Sequence, residues 1–452
     1  MLYYFVKFLV NVFYRVFYKF EYEGLDKIPR GKPIVLAPNH VNAFIDPVVL
    51  AMLTKQDVHF FARGDVFKKP IAAWLLGQLN MFPMYRIQEG YSELKKNDKT
   101  FEICRTLLAD NKTLLMFPEG ICIQERRLRP LKKGLARIIF QTEETFDFKK
   151  DVLVVPIGLN YSDAKRFRSK LFIDCGDAIS IKDYEEQYRN DKVRAINDFT
   201  KALEVKMAER LIIINNKEND GLVAAVEQIY MNDLLKEKKW KSTYLKSQYL
   251  AAREISEMIN QTEIMYPDLT ASLREKTVPY LNLLREKGLR DHLLNPDAIS
   301  GMNMKTFLIE FLIVFFGLPF YWFGMATNYL PYFISKRFAL KKAKNIEFLA
   351  SLYMNMTMFL WIFYFIIQMA LVGLISRNWS DLGIYASMVI ASGYIVLYFY
   401  PAMKKIFGRW RLLRMVRKDR ETVEYLVNER GEIMEMIKEM KRMFVPSSDK
   451  FR

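Results

Sequence analysis

The chain has 452 residues, of which 51% are hydrophobic and 26% charged. This length and composition supply a substantial buried core and exclude general disorder. There are 68 Lys and Arg residues against 51 Asp and Glu, and the resulting net charge of +17 indicates an anionic partner: nucleic acid, acidic lipid or a phosphorylated substrate. The three cysteines have no paired spacing and there are only three histidines, which argues against a disulfide framework and a zinc site and favours a reducing, cytosolic location.

The first twenty residues are apolar and aromatic apart from one narrow polar stripe. Lys7, Asn11, Arg15 and Lys19 recur every four positions and therefore lie along one side of a helix. The distributed charges and the many Tyr and Phe residues distinguish this segment from a cleavable signal peptide. We predict an interfacial membrane helix over residues 1–24, with packing on the protein's own core as the alternative.

The following segment, residues 25–200, alternates short apolar runs with longer amphipathic stretches. This pattern predicts an α/β domain with a mostly parallel or mixed sheet covered by helices on both faces. The predicted strands cover 33–38, 58–62, 81–85, 113–117, 152–160 and 171–175. The predicted helices lie near 47–53, 67–79, 89–109 and 131–144.

The second half of the chain changes in composition twice. Residues 201–304 are highly charged and helical in period, and they predict a helical accessory region. Beyond them come apolar stretches that each reach the roughly 20 residues needed to cross a bilayer as a helix. These stretches cover 307–334, 348–376 and 382–402.

Gly317 and Pro319 interrupt the first of these apolar stretches. Within residues 305–404 we therefore predict a re-entrant hairpin followed by two spanning helices. Residues 405–452 predict a basic amphipathic C-terminal helix. Because cytosolic loops are rich in Lys and Arg, the basic segments beside the apolar stretches favour a cytosolic position for both ends of the chain.

The segment LAPNHVNAFIDP at 36–47 places polar residues at the end of a predicted strand, where α/β folds bind ligands. Neutral imidazole is the usual base for an attacking hydroxyl near pH 7, and a carboxylate on the other ring nitrogen fixes its tautomer. His40 and Asp46 can supply this pair without an enzyme nucleophile. A satisfied core histidine fits the same segment equally well, so taken alone it leaves both interpretations open.

Further segments, in order along the chain, resemble the motif blocks of the glycerolipid acyltransferases, the family that makes lysophosphatidic and phosphatidic acid. After the segment containing His40 come MFPMYR at 81–86, LLMFPEG at 114–120 with RPLKKG at 129–134, and VVPIGLNY at 154–161. A lone Phe-Pro-Glu-Gly is a weak signal, but four blocks in the family's order are a strong one.

The resemblance implies a role for each matching residue. His40 corresponds to the catalytic base and Asp46 to its carboxylate partner. The implied acceptor-binding residues are Arg86, Glu119, Gly120 and Lys133, and the other motif positions are Asn39, Pro118 and Pro156. An arginine fork suits a phosphate, and a glycine lets the backbone approach an oxygen closely. A basic patch resting on anionic lipid explains Lys133 equally well.

The sequence departs from the family pattern at two places. Five residues separate His40 from Asp46 where the family usually has four, a longer spacing similar to that of fungal glycerol-phosphate and dihydroxyacetone-phosphate acyltransferases. Those proteins also carry C-terminal membrane segments. Cys122 stands where the family often has Ser or Thr, so it is either a small acceptor-site residue or a buried apolar cysteine.

The implied function is O-acyl transfer from an acyl-CoA or acyl-carrier-protein thioester to 1-acylglycerol 3-phosphate, giving phosphatidic acid. The alternative acceptors are glycerol 3-phosphate and dihydroxyacetone phosphate. We expect an integral membrane protein with its active site on the cytosolic face, anionic membrane lipids as partners, and no metal or cofactor. A non-catalytic membrane lipid-binding protein of the same fold is the alternative of another class. Nucleic-acid binding is disfavoured because the basic clusters flank apolar stretches and no recognition motif is found.

Overall fold

The computed structural model describes residues 2–85, 97–295, 304–343 and 345–444. The chain forms two compact units. The first consists of Met1–Ile213, Tyr244–Tyr249 and Ala343–Met354, and the second of Ile214–Thr243, Leu250–Lys342 and Asn355–Arg452.

The described part of the first unit is built on one sheet of eight strands. These strands are β1 (Tyr18–Glu23), β2 (Ile34–Pro38), β3 (Val58–Arg63), β4 (Met81–Met84), β5 (Thr113–Leu115), β6 (Leu153–Tyr161), β7 (Ser169–Cys175) and β8 (Ile179–Ser180). Their order is β1-β7-β6-β2-β5-β3-β4, with β8 paired to β6. β6 runs antiparallel to β7 and β8, and the other neighbours are parallel. The prediction of an α/β domain with a mixed sheet is confirmed.

Helices cover both faces of this sheet. They are α1 (Leu2–Phe17), α2 (Ile45–Leu53), α3 (Pro70–Gln78), α4 (Asn97–Ala109), α5 (Gly134–Thr145), α6 (Glu185–Asn190) and α7 (Lys192–Ala208). From β2 to β4 the chain moves across the sheet in one direction, and from β4 to β6 it moves back in the other. Crossovers of the usual right hand therefore place α2 and α3 on one face and α4 and α5 on the opposite face. Val35 and Ala37 of β2 pack in one apolar core with residues of α4, α5 and α7.

The N-terminal helix is shorter than predicted. It ends at Phe17, and Tyr18–Glu23 form β1, which pairs parallel with β7. The prediction of a helix over 1–24 is therefore wrong for its last residues. The reason is visible in the segment YKFEYE, where aromatic and charged residues alternate with the period of two that belongs to a strand.

The second unit is helical. It contains α8 (Asp220–Glu237), most of α9 (Leu245–Met265), α10 (Pro267–Glu286), α11 (Met304–Lys342), most of α12 (Leu349–Ser376), α13 (Trp379–Lys418) and α14 (Arg420–Met443). One face of α14 is buried in an apolar core shared with α8, α9 and α10. Arg430 of α14 donates to Asp291 at 3.1 Å and to Asp233 at 3.2 Å. The predicted C-terminal helix is thus α14 alone, because residues 405–418 continue α13.

Three helices among the described residues, α11, α12 and α13, are long and apolar enough to cross a membrane. The predicted hairpin is wrong, because α11 is one 39-residue helix that continues through Gly317 and Pro319. A Cβ atom on Gly317 would lie 2.2 Å from the ring of Phe399, and one on Gly324 would lie 2.6 Å from the carbonyl oxygen of Ser392. The glycines therefore allow close packing of α11 on α13, as small residues do between membrane helices.

Candidate active site

The candidate site lies at one edge of the sheet. β6, β2 and β5 are adjacent and parallel, so their carboxyl ends meet at the same edge. The segment with His40 follows β2, and the segment with Glu119 follows β5. In α/β folds this edge is the usual location of a ligand site.

His40 and Asp46 are in direct contact. Nδ1 of His40 lies 2.9 Å from Oδ2 of Asp46, whose side chain is fully buried, while the His40 side chain is 12% exposed. The same Oδ2 atom accepts the backbone amides of Val41 at 2.8 Å and Asn42 at 2.6 Å, and Oδ1 accepts the hydroxyl of Tyr161 at 2.8 Å. Four donors therefore surround the carboxylate and hold the imidazole with its proton on Nδ1, so that Nε2 can accept a proton.

The five-residue spacing between His40 and Asp46 is accommodated by a turn. The carbonyl oxygen of Asn42 accepts the amides of Ile45 at 2.9 Å and Asp46 at 3.1 Å, and α2 begins at Ile45. This places Asp46 in the first turn of α2, with its side chain pointing back to the loop that carries His40. The longer spacing is thus compatible with a His–Asp contact.

Two buried tyrosines lie behind the pair. Burial raises the pKa of the Tyr161 phenol well above its ordinary value, so this group remains a proton donor towards Asp46. The Tyr18 hydroxyl instead donates to the carbonyl oxygen of Ala164 at 2.7 Å and accepts from the Asn42 side chain at 3.1 Å. Sequence reasoning missed the contact of Tyr161, although a buried tyrosine hydroxyl usually has a hydrogen-bond partner.

Glu119 and Phe117 fix His40 from the side of β5. The Phe117 ring stacks on the imidazole with 3.7 Å between centroids and 14° between planes. The Glu119 side chain is 5% exposed, and its two oxygens accept the backbone amides of His40 at 2.9 Å and Arg129 at 3.1 Å. Burial raises the pKa of the Glu119 carboxyl, and the two amide donors oppose that shift. Both oxygens therefore accept hydrogen bonds from main-chain amides beside His40.

Gly120 and Lys133, two of the residues that the resemblance assigns to acceptor binding, have different environments. Gly120 has a positive φ of 69°, and its amide donates to the carbonyl oxygen of Phe117 at 3.1 Å, which closes a tight turn. The Gly120 amide is therefore already used within the protein. The buried Pro118 accepts the Lys132 amide at 2.7 Å, and Lys133 is exposed at the start of α5.

Asn39 and Pro156 hold the strands that support the site. The Asn39 side chain donates to the carbonyl oxygen of Leu159 at 3.2 Å and accepts the amide of Leu159 at 2.7 Å, which ties the end of β2 to β6. Pro156 is buried in β6 opposite Ala37 of β2. Arg86 lies outside the described residues.

The comparison with known families agrees with this arrangement. Residues 19–160 match the profile of the Acyltransferase family, and this range contains His40, Asp46 and Glu119. A chloroplastic 1-acyl-sn-glycerol-3-phosphate acyltransferase of Brassica napus is 28% identical over 144 residues, and one of Arabidopsis thaliana is 29% identical over 144 residues. Over this region the chain is similar to glycerolipid acyltransferases.

The region that matches these relatives is limited in length. It covers 32% of the chain for both plant proteins and 38% and 36% of their own lengths. Glycerol-3-phosphate O-acyltransferase 1 of Saccharomyces cerevisiae is 24% identical over 245 residues, which are 53% of this chain and 31% of that protein. The chain thus matches between 31% and 38% of the length of these relatives. A crystal structure of the 1-acyl-sn-glycerophosphate acyltransferase of Thermotoga maritima aligns with 44% of this chain and 79% of that one, at 18% identity and a TM-score of 0.30.

Cys122 connects two segments of the candidate site. Its sulfur accepts the Ala43 amide at 3.2 Å, and the neighbouring Ile123 donates its amide to the His40 carbonyl oxygen at 3.1 Å. The segment after Gly120 is therefore hydrogen-bonded to the segment that carries His40. Cys122 is half-buried, so its exposure is compatible with both a small acceptor-site residue and a buried apolar cysteine.

Proposed function

We propose that this protein transfers an acyl chain from a thioester donor to the hydroxyl of 1-acylglycerol 3-phosphate, giving phosphatidic acid. The observation that carries the proposal is the 2.9 Å contact between His40 Nδ1 and the buried carboxylate of Asp46. A buried carboxylate on one ring nitrogen is the arrangement that a general base requires. A protein that only binds lipid has no need of a base.

The proposed reaction is a direct displacement. Nε2 of His40 takes the hydroxyl proton as the acceptor oxygen attacks the thioester carbonyl, and a carbon–oxygen bond forms. The carbon–sulfur bond then breaks, and the imidazolium returns the proton to the thiolate that leaves. Asp46 stabilises the imidazolium between these two proton transfers, and Phe117 limits rotation of the ring.

The acceptor phosphate is assigned to basic residues of the segments MFPMYR at 81–86 and RPLKKG at 129–134. We propose that Arg86 binds it as a bidentate fork and that the exposed Lys133 adds positive charge there or at anionic lipid. Since both oxygens of Glu119 are engaged by main-chain amides, Glu119 supports the acceptor site through the positions of His40 and Arg129. Gly120 contributes the sharp turn that leads into the segment containing Arg129.

Glycerol 3-phosphate is the second candidate acceptor. It is supported by the match to the yeast glycerol-3-phosphate acyltransferase, which extends over 53% of this chain. Both acceptors present a hydroxyl and a phosphate, so the same base and the same basic residues serve either. The two differ in the acyl chain already attached.

Turnover measured with a panel of substrates tests the proposal. The full chain, purified in detergent, is given lysophosphatidic acid, glycerol 3-phosphate or dihydroxyacetone phosphate with acyl-CoA or acyl-carrier protein. We expect ester formation that is fastest with lysophosphatidic acid and lost in His40→Ala. Faster acylation of glycerol 3-phosphate identifies the second candidate, and binding without turnover for every pair contradicts the enzyme proposal.

We also propose that the protein is integral to the membrane and that its active site faces the cytosol. The three long apolar helices support membrane insertion. The basic residues that precede α12 support the cytosolic side, because the start of α12 contacts Phe44 beside the candidate site within the first unit. A single cysteine replacing Lys149, whose side chain is 80% exposed, reports the side of the acyltransferase domain. In sealed vesicles we expect labelling only from the cytosolic side, and labelling only from the opposite side contradicts the proposal.

A further inference from the structure

Helix α3 exposes an apolar ridge. Ile71 and Trp74 are 76% and 62% exposed, Leu75 is 41% exposed, and their spacing places them on one side of the helix. Every residue of α3 is exposed or half-buried. A surface helix of a soluble domain normally turns such residues towards the core, so an exposed ridge of this kind indicates a contact surface.

Helix α1 exposes a similar set of side chains on the same side of the sheet. Tyr4, Phe5 and Phe8 are all about as exposed as Trp74. The Lys7 ammonium donates to the carbonyl oxygen of Thr54 at 2.8 Å, which ties α1 to the end of α2. Because right-handed crossovers place α2 and α3 on one face, the exposed aromatic residues of α1 and the ridge of α3 belong to that face.

The same face carries the start of a candidate membrane helix. Within the first unit, the Phe44 amide donates to the Ser351 hydroxyl at 3.2 Å, and the Phe44 and Phe348 rings are 5.9 Å apart. Tyr353 packs against Phe17 of α1 with 5.2 Å between ring centroids. These contacts hold the first residues of α12, which belongs to a segment apolar and long enough to span a bilayer. The lipid surface is therefore expected on this side of the sheet.

The charges beside the ridge fit a lipid surface with anionic headgroups. Lys68 and Lys69 are exposed and immediately precede α3. Lysines at the headgroup level and a tryptophan ring at the interface are the usual anchors of a helix that lies on a membrane. We propose that Ile71, Trp74 and Leu75 insert into the bilayer surface, while Lys68 and Lys69 contact anionic headgroups.

The proposal identifies a membrane contact within the catalytic domain itself, in addition to α1 and the long apolar helices. It orients the sheet, because it turns the face with α1, α2 and α3 towards the bilayer and the face with α4, α5 and α7 towards water. Val193 of α7 is a matched reference position. It is 68% exposed, like the ridge residues, but lies between Lys192 and Arg194.

A fluorescent probe in nanodiscs tests this orientation. The full chain carries an environment-sensitive label on a cysteine in Trp74→Cys or, as the control, in Val193→Cys, with Cys122→Ala in both. The nanodiscs contain phosphatidylcholine and phosphatidylglycerol. We expect blue-shifted emission at position 74, strong quenching by nitroxide-labelled lipid and protection from aqueous iodide, and the reverse at position 193. Because this readout does not depend on turnover, it tests the membrane contact independently of the proposed reaction.

Two results overturn the proposal. Iodide quenching at position 74 equal to that at position 193 places the ridge in water. Protection of position 74 from both quenchers shows that protein, not lipid, covers it. For the headgroup contact, we expect weaker lipid quenching at position 74 in phosphatidylcholine alone, and unchanged quenching contradicts that part.

Discussion

Two histidines of the same domain, one after a strand of the sheet and one within a strand, have different surroundings. His40 follows the carboxyl end of β2, with Nδ1 2.9 Å from a buried carboxylate. His59 lies inside β3, with Nδ1 3.3 Å from the carbonyl oxygen of Thr113, and its ring packs against Phe82 at 6.1 Å. Both histidines sit beside apolar strand residues, so the strand pattern alone does not separate them.

The difference lies in the charge of the partner. A carbonyl oxygen accepts the Nδ1 proton of His59 but adds no full negative charge, and burial lowers the pKa of His59. That ring therefore remains neutral near pH 7. Asp46 supplies the negative charge that an imidazolium at His40 needs during proton transfer. The fold thus contains both a proposed base and a structural histidine, and the buried carboxylate distinguishes them.

Removing the charge of Asp46 is expected to produce the largest effect. In Asp46→Asn the uncharged amide cannot stabilise the imidazolium, so kcat should fall by about 10²- to 10⁴-fold. The measurement is turnover with the preferred acceptor, alongside the thermal unfolding midpoint of the same preparation. Near-parental kcat in folded Asp46→Asn protein would show that His40, like His59, does not need a charged partner, and would contradict its role as the base.

Removing Glu119 is expected to act through the position of His40. Glu119→Ala leaves two buried amides without their acceptor, at a cost of about 1–3 kcal/mol in the free energy of unfolding. A displaced base should also lower kcat by roughly 10- to 100-fold. Glu119→Gln keeps one amide acceptor and should lose less of both. Unchanged stability with only a raised acceptor KM would instead support direct binding of the acceptor.

Tyr161→Phe is expected to weaken catalysis moderately. It removes one of the four donors to Asp46, so kcat should fall by up to about tenfold. Tyr18→Phe is the matched control, since its buried hydroxyl donates to Ala164. Equal kcat in the two variants would contradict a role of Tyr161 at Asp46.

The smallest expected effect concerns His59 and stability. Its folded pKa is lowered, so as the pH falls below about 6.5 the unfolded chain binds the proton first and stability is lost. Above that pH the contribution is fully present. The unfolding midpoint of the parent should therefore fall more steeply than that of His59→Gln between neutral and mildly acidic pH. Identical slopes would show that burial of His59 has no such consequence.

The sequence predicted the sheet and the His–Asp contact because both depend on short segments. β2, β3 and β5 are short runs rich in apolar residues, and His40 and Asp46 are joined by one turn. Tyr161 was missed because it meets Asp46 from another strand, 115 residues away along the chain. The main-chain contacts of Glu119 were missed for a related reason: its oxygens accept backbone amides, whose positions the residue types do not reveal.

The errors in the helices have local causes. The aromatic residues of α1 continue into β1, and this continuity concealed the change from a helical period to a period of two after Phe17. Gly317 and Pro319 suggested a break in α11. In the structure, however, Gly317 packs closely against Phe399 and the helix continues through Pro319. Membrane helices tolerate proline because the backbone groups that it frees can find other partners.

The most direct measurement is the same substitution at both histidines. His40→Gln and His59→Gln are purified as full chains, checked for folding, and assayed with the acceptor that the panel selects. We expect His40→Gln to lose turnover by about 10²-fold or more, and His59→Gln to keep most of it near neutral pH. Parental turnover in folded His40→Gln protein would contradict the assignment of His40 as the base.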